Sequence, residues 1–459
     1  MTSNASRLLN VRRKNADAVT FEDNDTRDPM NFSYKKKWTI TLVASAASAS
    51  FSMGYQSMMR ELNCTQFQAT VGLSMWSIGF GMVPLITSSF TEEFGRLNIY
   101  IVSSFGFMLT EIMVALSPNI QTVILGRLLG GAFGSTGATL VGGSIADIWG
   151  PHERGQPMAF FSLACVAAIG LGPVIAGVIE ADPRLGWRWI QWIHVMFSGA
   201  YFISVVLLMK ETRATIVLTR LARKKRKETG DARYQAKAEI EKQSLMTLIK
   251  ISCTRPIYLL LTEPLVQSFS LWIGFTWGVV FALVESVSPD FQAVYGFDIQ
   301  NTGFIFSTIT LGSFIGYFAN IYQEKLYQKH YPRKRQEARL YLPCAAAILL
   351  PIGMFIYAWT VRPDIHWIVP AIGLTVFMSG AFVIFMVTGN LAVAIFPLFT
   401  TQMFARLTHK WSLTLFGCIG AALVPIPWVL FFYGSRIRAR SRVSRKILEE
   451  QELQEKMGK

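Results

Sequence analysis

The chain has 459 residues, 51% of them hydrophobic and only 16% charged, with a net charge of +15. Soluble chains average about 25% charged residues, so the composition excludes an ordinary water-soluble protein if the apolar residues fall in long runs. A positive balance of this size suits nucleic acid or an anionic membrane surface, and the positions of the charges decide between them.

Residues 1–37 are polar and charged, which predicts a tail without a secretory signal. The first hydrophobic helix then acts as its own insertion signal. A helix crossing the hydrocarbon core needs about 20 mostly apolar residues. Runs of that kind predict spans near 38–57, 69–88, 98–116, 121–146, 156–179 and 189–209. A second set falls near 264–286, 302–321, 340–360, 366–388 and 412–433, with a weaker apolar stretch at 390–405. Charges or turns such as Ser117-Pro118-Asn119 separate them. So many runs of this length cannot all be interior helices of a soluble all-α protein.

With the N-terminus inside and twelve crossings, 37 Lys and Arg fall on cytoplasmic segments, 6 fall outside, and Arg127 lies within a span. That split is a strong positive-inside signal, so the basic balance is membrane topology and nucleic acid drops out. The resulting division is a cytoplasmic tail (1–37), a six-helix half (38–209), a cytoplasmic connection (210–256), a second half (257–433) and a cytoplasmic tail (434–459). The connection, which includes Arg223-Lys224-Lys225-Arg226-Lys227, reads as a solvated amphipathic helix that tethers the halves, or as a regulatory segment. Cys64, Cys165, Cys253, Cys344 and Cys418 form no disulfide framework. The five histidines are too scattered to suggest a metal site, and no phosphate loop is present.

Six spans, a charged connection and five or six more spans resemble the layout of the major facilitator superfamily, in which two halves enclose a midplane site. The loop Ser88-Ser89-Phe90-Thr91-Glu92-Glu93-Phe94-Gly95-Arg96 resembles that family's G-x-L-A-D-x-x-G-R signature. The resemblance implies that Glu92, Gly95 and Arg96 form a conformational latch; otherwise they are ordinary loop charges at a helix end. Gly126-Arg127-Leu128-Leu129-Gly130-Gly131 resembles the R-x-x-x-G motif of proton-coupled members, which implies a role for Arg127 in proton transfer. An arginine in an apolar span faces a cavity or partner, or snorkels to the interface.

In the fifth span, Ala168-Ile169-Gly170-Leu171-Gly172-Pro173-Val174-Ile175-Ala176-Gly177 resembles the G-x-x-x-G-P-x-x-G-G motif of drug:proton antiporters, with Ala168 and Ala176 in place of two glycines. The resemblance implies that the bend at Gly172, Pro173 and Gly177 seals a proton leak. Independently, Ala164, Ala168, Gly172 and Ala176, and Gly130, Gly134, Ala138 and Gly142, form small-residue stripes that let helices pack closely. Asp28-Pro29-Met30-Asn31-Phe32, Pro183-Arg184-Leu185-Gly186-Trp187-Arg188-Trp189, Lys210-Glu211-Thr212-Arg213 and Phe431-Phe432-Tyr433-Gly434 extend the resemblance to fungal drug and polyamine antiporters. One stretch departs from that pattern. Val387-Thr388-Gly389-Asn390 runs straight into Leu391-Ala392-Val393-Ala394-Ile395-Phe396-Pro397, leaving 16 residues (390–405) for an eleventh span.

Candidates for proton coupling are Arg127, Glu111 in the third span and Glu285 in the seventh. Desolvation favours the neutral form of a carboxyl group, the property that coupling needs, although Glu285 also reads as an acid in interfacial water. Glu285, Phe281, Gly278 and Gly274 share a helix face. Trp76, Phe269, Trp272 and Phe281 offer apolar and π surface for a lipophilic cation, or, for the tryptophans, interfacial anchors.

The expected fold is therefore an all-α membrane protein of the major facilitator type, two six-helix halves with a shortened eleventh helix. The expected function is secondary active transport, proton-coupled export of small lipophilic or cationic compounds such as drugs or polyamines. A facilitator or importer of a neutral solute, and a transport-impaired copy, are the alternatives. Expected partners of this monomer are the lipid bilayer, a small-molecule substrate and protons. No metal, cofactor, nucleic acid or enzymatic activity is expected, and the expected location is the plasma membrane.

Overall fold

The computed structural model of the protein describes residues 17–18, 21, 25, 27–44, 51–150, 153–240, 244–387 and 396–440. The described residues around the first predicted span form α1 (Tyr34–Ala44), a 3-10 turn (Phe51–Gly54) and α2 (Tyr55–Leu62). Thr65 then opens α3 (Gln66–Met82) with a capping box, its Oγ1 accepting from Gln68 N while Gln68 Oε1 accepts from Thr65 N. Such a cap is worth about 1 kcal/mol. Pro84 restarts the same span as α4 (Pro84–Phe94), and a single residue, Gly95, separates it from α5 (Arg96–Ala115). Asn119 caps α6 (Ile120–Ile148), so the Ser117-Pro118-Asn119 turn lies where the sequence predicts it. Helices α7 (Gly155–Ala181) and α8 (Gly186–Leu208) complete this group.

The connection holds α9 (Ala214–Thr229), α10 (Lys237–Ile240) and α11 (Leu245–Thr262). A two-residue strand in the tail, β1 (Asp17–Ala18), pairs in parallel with β2 (Tyr234–Gln235) of this segment. Arg226 binds Glu239 through two hydrogen bonds of 2.8 and 2.9 Å and holds that carboxyl below its usual range. The segment is more than a solvated tether: α11 packs on α4, and Ser89 Oγ donates to Ser252 Oγ at 2.7 Å. The expected boundary at 256/257 falls inside α11, because Pro256 is accommodated within the helix.

The later helices are α12 (Pro264–Tyr295), α13 (Ile299–Ile305), α14 (Ser307–Lys334), α15 (Tyr341–Thr360), α16 (Ile368–Val387), α17 (Phe396–Leu423) and α18 (Pro425–Arg440). Several outrun the 20 residues predicted for a span; α14 carries the basic residues Lys325 and Lys329 in its helical extension rather than in a loop. Helix α17 is two helices joined at Thr408, whose φ of 64° is a left-handed conformation that β-branched residues rarely adopt. Ser412 Oγ reaches Met403 O at 3.3 Å across this break, which means that the chain folds back on itself there. Among the described residues, the helical stretch before the break covers 396–407. The earlier part of the predicted 390–405 stretch, through residue 395, lies outside the described residues.

Small residues do the packing that lipid cannot drive. Gly79 of α3 and Gly131 of α6 sit where an added Cβ would strike the backbone of the other helix. Across the bundle, Gly170 meets Phe306 O and Thr310, and Gly177 meets Ile299 O and the Cα of Gly303. Pro173 lies inside α7 with its carbonyl against Gly303, so the predicted bend motif forms the seam with α13. The largest apolar cluster spans both groups of helices, running from Met53 and Val166 through Trp272 and Val280 to Phe382 and Phe416.

Candidate functional site

Two polar clusters stand out among the described residues. The first surrounds the α4–α5 turn. Gly95 has φ 84° and ψ 166°, a conformation open to glycine, and its missing Cβ leaves room for the Glu211 carboxylate. Glu211 accepts from the backbone N–H groups of Arg96 (3.0 Å), Leu97 (3.4 Å), Thr212 (3.1 Å) and Arg213 (2.9 Å). It thereby supplies a negative charge at the N-terminus of α5, where the helix dipole favours one.

Arg96, 8% exposed, binds Asp147 at 2.7 Å and donates to Leu140 O at 3.1 Å. Its guanidinium lies where a Cβ on Gly143 would be, so a larger residue there would push the guanidinium from its place beside Asp147. Glu92 does not pair with Arg96; it faces Arg213 at 3.3 Å and is half exposed. The three predicted residues are thus in one cluster, joined through Asp147, Glu211 and Arg213. Sequence reasoning missed Asp147; it noted Glu211 and Arg213 for their resemblance, without a role.

Replacing Gly95 by Ala forces both a strained backbone and a clash with Glu211. The expected loss is about 1–3 kcal/mol, read as a lower melting midpoint of the detergent-solubilised protein. A wild-type midpoint would show that Glu211 can retreat freely.

The second cluster lies within the membrane-spanning helices. Tyr55 Oη of α2 donates to Glu285 Oε1 of α12 at 3.2 Å, joining residues 230 positions apart. Arg127 of α6 is 6% exposed, about 10 Å along its helix from the N-terminal end at 1.5 Å per residue. Its guanidinium carbon stands 4.2 Å from the centre of the Phe51 ring and 5.7 Å from that of Trp76. Such cation–π contacts offset part of the cost of burying its charge. Glu111 of α5, 2% exposed, faces His194 of α8 at 3.6 Å, and its charge acts on Arg127.

The structure gathers Trp76, Arg127, Glu111, Phe281 and Glu285 here: Phe281 packs against the cluster that contains Phe51 and Tyr55. It does not bring in Phe269, which packs with Leu340 and Leu430 about 18 Å along α12 from Phe281. Trp272, 2% exposed, is packed in the largest apolar cluster. Between Phe281 and Trp272, Trp277 lines a small cavity with Val166, Thr276, Val280, Met378 and Phe382, apolar apart from the Thr276 hydroxyl. Tyr55 and His194 escaped the sequence reading, since neither residue type stands out in an apolar run as a full charge does.

A family profile described as Major Facilitator Superfamily matches residues 38–394. The chain is 30% identical to the transporter paaT of Penicillium rubens, over 94% of this chain and 85% of that protein. That alignment covers 468 positions, more than the 459 residues of this chain, so paaT carries residues with no counterpart here. The chain is also 30% identical to the citrinin biosynthesis cluster MFS transporter mrr1 of Monascus ruber, over 92% of this chain and 91% of that one. To the multidrug transporter TPO1_1 of Candida glabrata it is 29% identical, over 92% and 80%. Among solved structures, the proton:xylose symporter XylE bound to 6-bromo-6-deoxy-D-glucose gives a TM-score of 0.61 at 15% identity, covering 87% of this chain and 97% of that one. At that identity the likeness concerns the fold.

Proposed function

The chain belongs to the major facilitator superfamily and is a multi-pass membrane transporter; from that premise we propose that it exports small lipophilic or cationic compounds in exchange for protons. The observation that carries this reading is the Tyr55–Glu285 hydrogen bond beside the ring-bound Arg127. A carboxyl group at membrane depth holds either a proton or a cation, and the choice between them is what antiport requires. The aromatic walls, Trp76, Phe281 and Trp277, suit a lipophilic or cationic cargo. Multidrug transporters among the relatives agree with that class.

The division into halves at 38–209 and 257–433, with both tails and the connection cytoplasmic, rests on the charge split, as does a plasma-membrane location on the resemblance. In this reading the Glu92–Arg213 and Arg96–Asp147 pairs latch one state of the transport cycle, and the Pro173 seam with α13 seals a proton leak.

Arg127→Ala is expected to reduce proton-driven flux in proteoliposomes by at least about tenfold while substrate binding stays measurable; removal of a buried charged partner costs 3–5 kcal/mol in comparable settings. Arg127→Lys keeps the charge but loses the flat guanidinium stacked on Phe51, and an intermediate rate is expected. Near-normal transport by both variants would mean that Arg127 only anchors its helix.

A second reading, a transport-impaired copy, is favoured by one specific observation: the sequence leaves 16 residues (390–405) for an eleventh span, against the ~20 a span needs.

A further inference from the structure

The Glu111 carboxylate lies between α8 and α6, each of which carries a basic side chain. On one side is His194 Nδ1 of α8, at 3.6 Å from Oε2. On the other is α6: Oε1 approaches Gly130, one turn beyond Arg127, within 3.7 Å of where a Cβ would sit, and Arg127 feels the Glu111 charge. All three side chains are buried, and Arg127 stays protonated at any working pH. One carboxylate can balance one of these cations at a time. With His194 neutral, Glu111 compensates Arg127; with His194 protonated, the cluster carries one uncompensated positive charge at membrane depth, a costly arrangement.

We propose that His194 is a proton site that competes with Arg127 for the Glu111 carboxylate, so that protonation of His194 leaves the Arg127 charge unbalanced beside Phe51 and Trp76 and expels a cationic cargo. This rests on the proton-exchange reading and adds a second proton-holding group to it, on α8. The charged and titratable groups facing the pair are Arg127 on α6 and, beyond it, Tyr55 on α2 and Glu285 on α12. Histidine is suited to the task because it changes charge between about pH 5 and 8.

The test counts protons released when tetraphenylphosphonium binds to the purified, detergent-solubilised protein in a weakly buffered solution with a pH dye. By linkage, the wild type should release about two protons per probe at a pH where both groups are loaded, and H194Q and H194N about one. E111Q, which removes the anion that both cations seek, should also lower the count to about one. If the wild type releases no proton at all, the proton-exchange reading itself fails. If it releases protons and a folded H194Q or H194N releases as many, His194 is a packed core histidine and this inference alone is overturned. Should neither variant fold, imidazole NMR of the wild type decides: no histidine changing its titration midpoint on probe binding overturns the proposal, and one buried imidazole moving to lower pH supports it.

Discussion

Glu285→Gln is expected to abolish export of a cationic probe against its gradient while a neutral lipophilic probe still binds within about twofold of wild type, since the aromatic walls that hold such a probe are unchanged. Glutamine is isosteric and keeps an oxygen that can accept from Tyr55 Oη, so the join between α2 and α12 survives and the melting midpoint should barely move. What disappears is the ability to alternate between a charge and a proton. Coupling free energies between two ligands of one protein run at about 1–3 kcal/mol, or about 5- to 150-fold in affinity. The cation affinity of the variant should therefore fall within that range and lose most of its pH dependence, leaving only what His194 contributes. Tyr55→Phe removes one hydrogen bond to the acid, worth about 1.5–3 kcal/mol at a charged group, and should give a milder version of the same defect. Wild-type export by Glu285→Gln would move the coupling elsewhere. Loss of the neutral probe as well would mean that the residue holds the fold rather than the proton.

Charges in apolar runs are conspicuous, which is why Arg127, Glu111 and Glu285 were legible from the sequence: an ionised group at membrane depth needs a reason to be there. Their partners were not legible. Tyr55 and Glu285 are 230 positions apart, and nothing local in a tyrosine announces which distant acid it will meet. The parts that Glu211 and Asp147 play were hidden for another reason: both lie near helix ends, where charges are ordinary. The aromatic candidates divide by helix face: Trp76 and Phe281 turn to Arg127 and Tyr55, whereas Trp272 turns into the apolar cluster, and spacing alone does not distinguish those faces. The spans were readable because each backbone N–H and C=O in lipid must be satisfied within its own helix, which forces long apolar runs. Helix ends were less so. Pro256, Pro173 and Pro351 sit inside helices that the usual breaker rule would have divided, since neighbouring helices and side chains absorb the freed backbone groups.

On the impaired-copy reading, inserting a roughly twenty-residue loop-and-helix segment, the length of one span, after Val387 raises transport from weak or absent to robust. The predicted stretch 390–405 offers about 24 Å of helix at 1.5 Å per residue, against a core of about 30 Å. Mismatch costs fractions of a kcal/mol per Å, so a shortfall of about 6 Å amounts to a few kcal/mol at most, and the unmodified chain should still fold and reach a membrane. Its return path is anchored: His409 Nδ1 lies 2.7 Å from Asp290 Oδ1, and Tyr357 Oη donates to Asp290 Oδ2 at 2.9 Å, tying the break at Thr408 to α12 and α15. Folding is therefore not the expected casualty. Helix α17 packs on α3, α12 and α15, so on that reading a shortened limb before Thr408 leaves this wall of the bundle incomplete. The matched measurement is probe export by both chains in the same proteoliposomes, normalised to inserted protein. If the unmodified chain pumps as strongly as the lengthened one, the short limb is sufficient for the cycle and the impaired-copy reading fails. If the lengthened chain alone pumps, the defect lies in that wall, and Glu285, Arg127 and Glu111 are intact machinery in a chain that cannot use them.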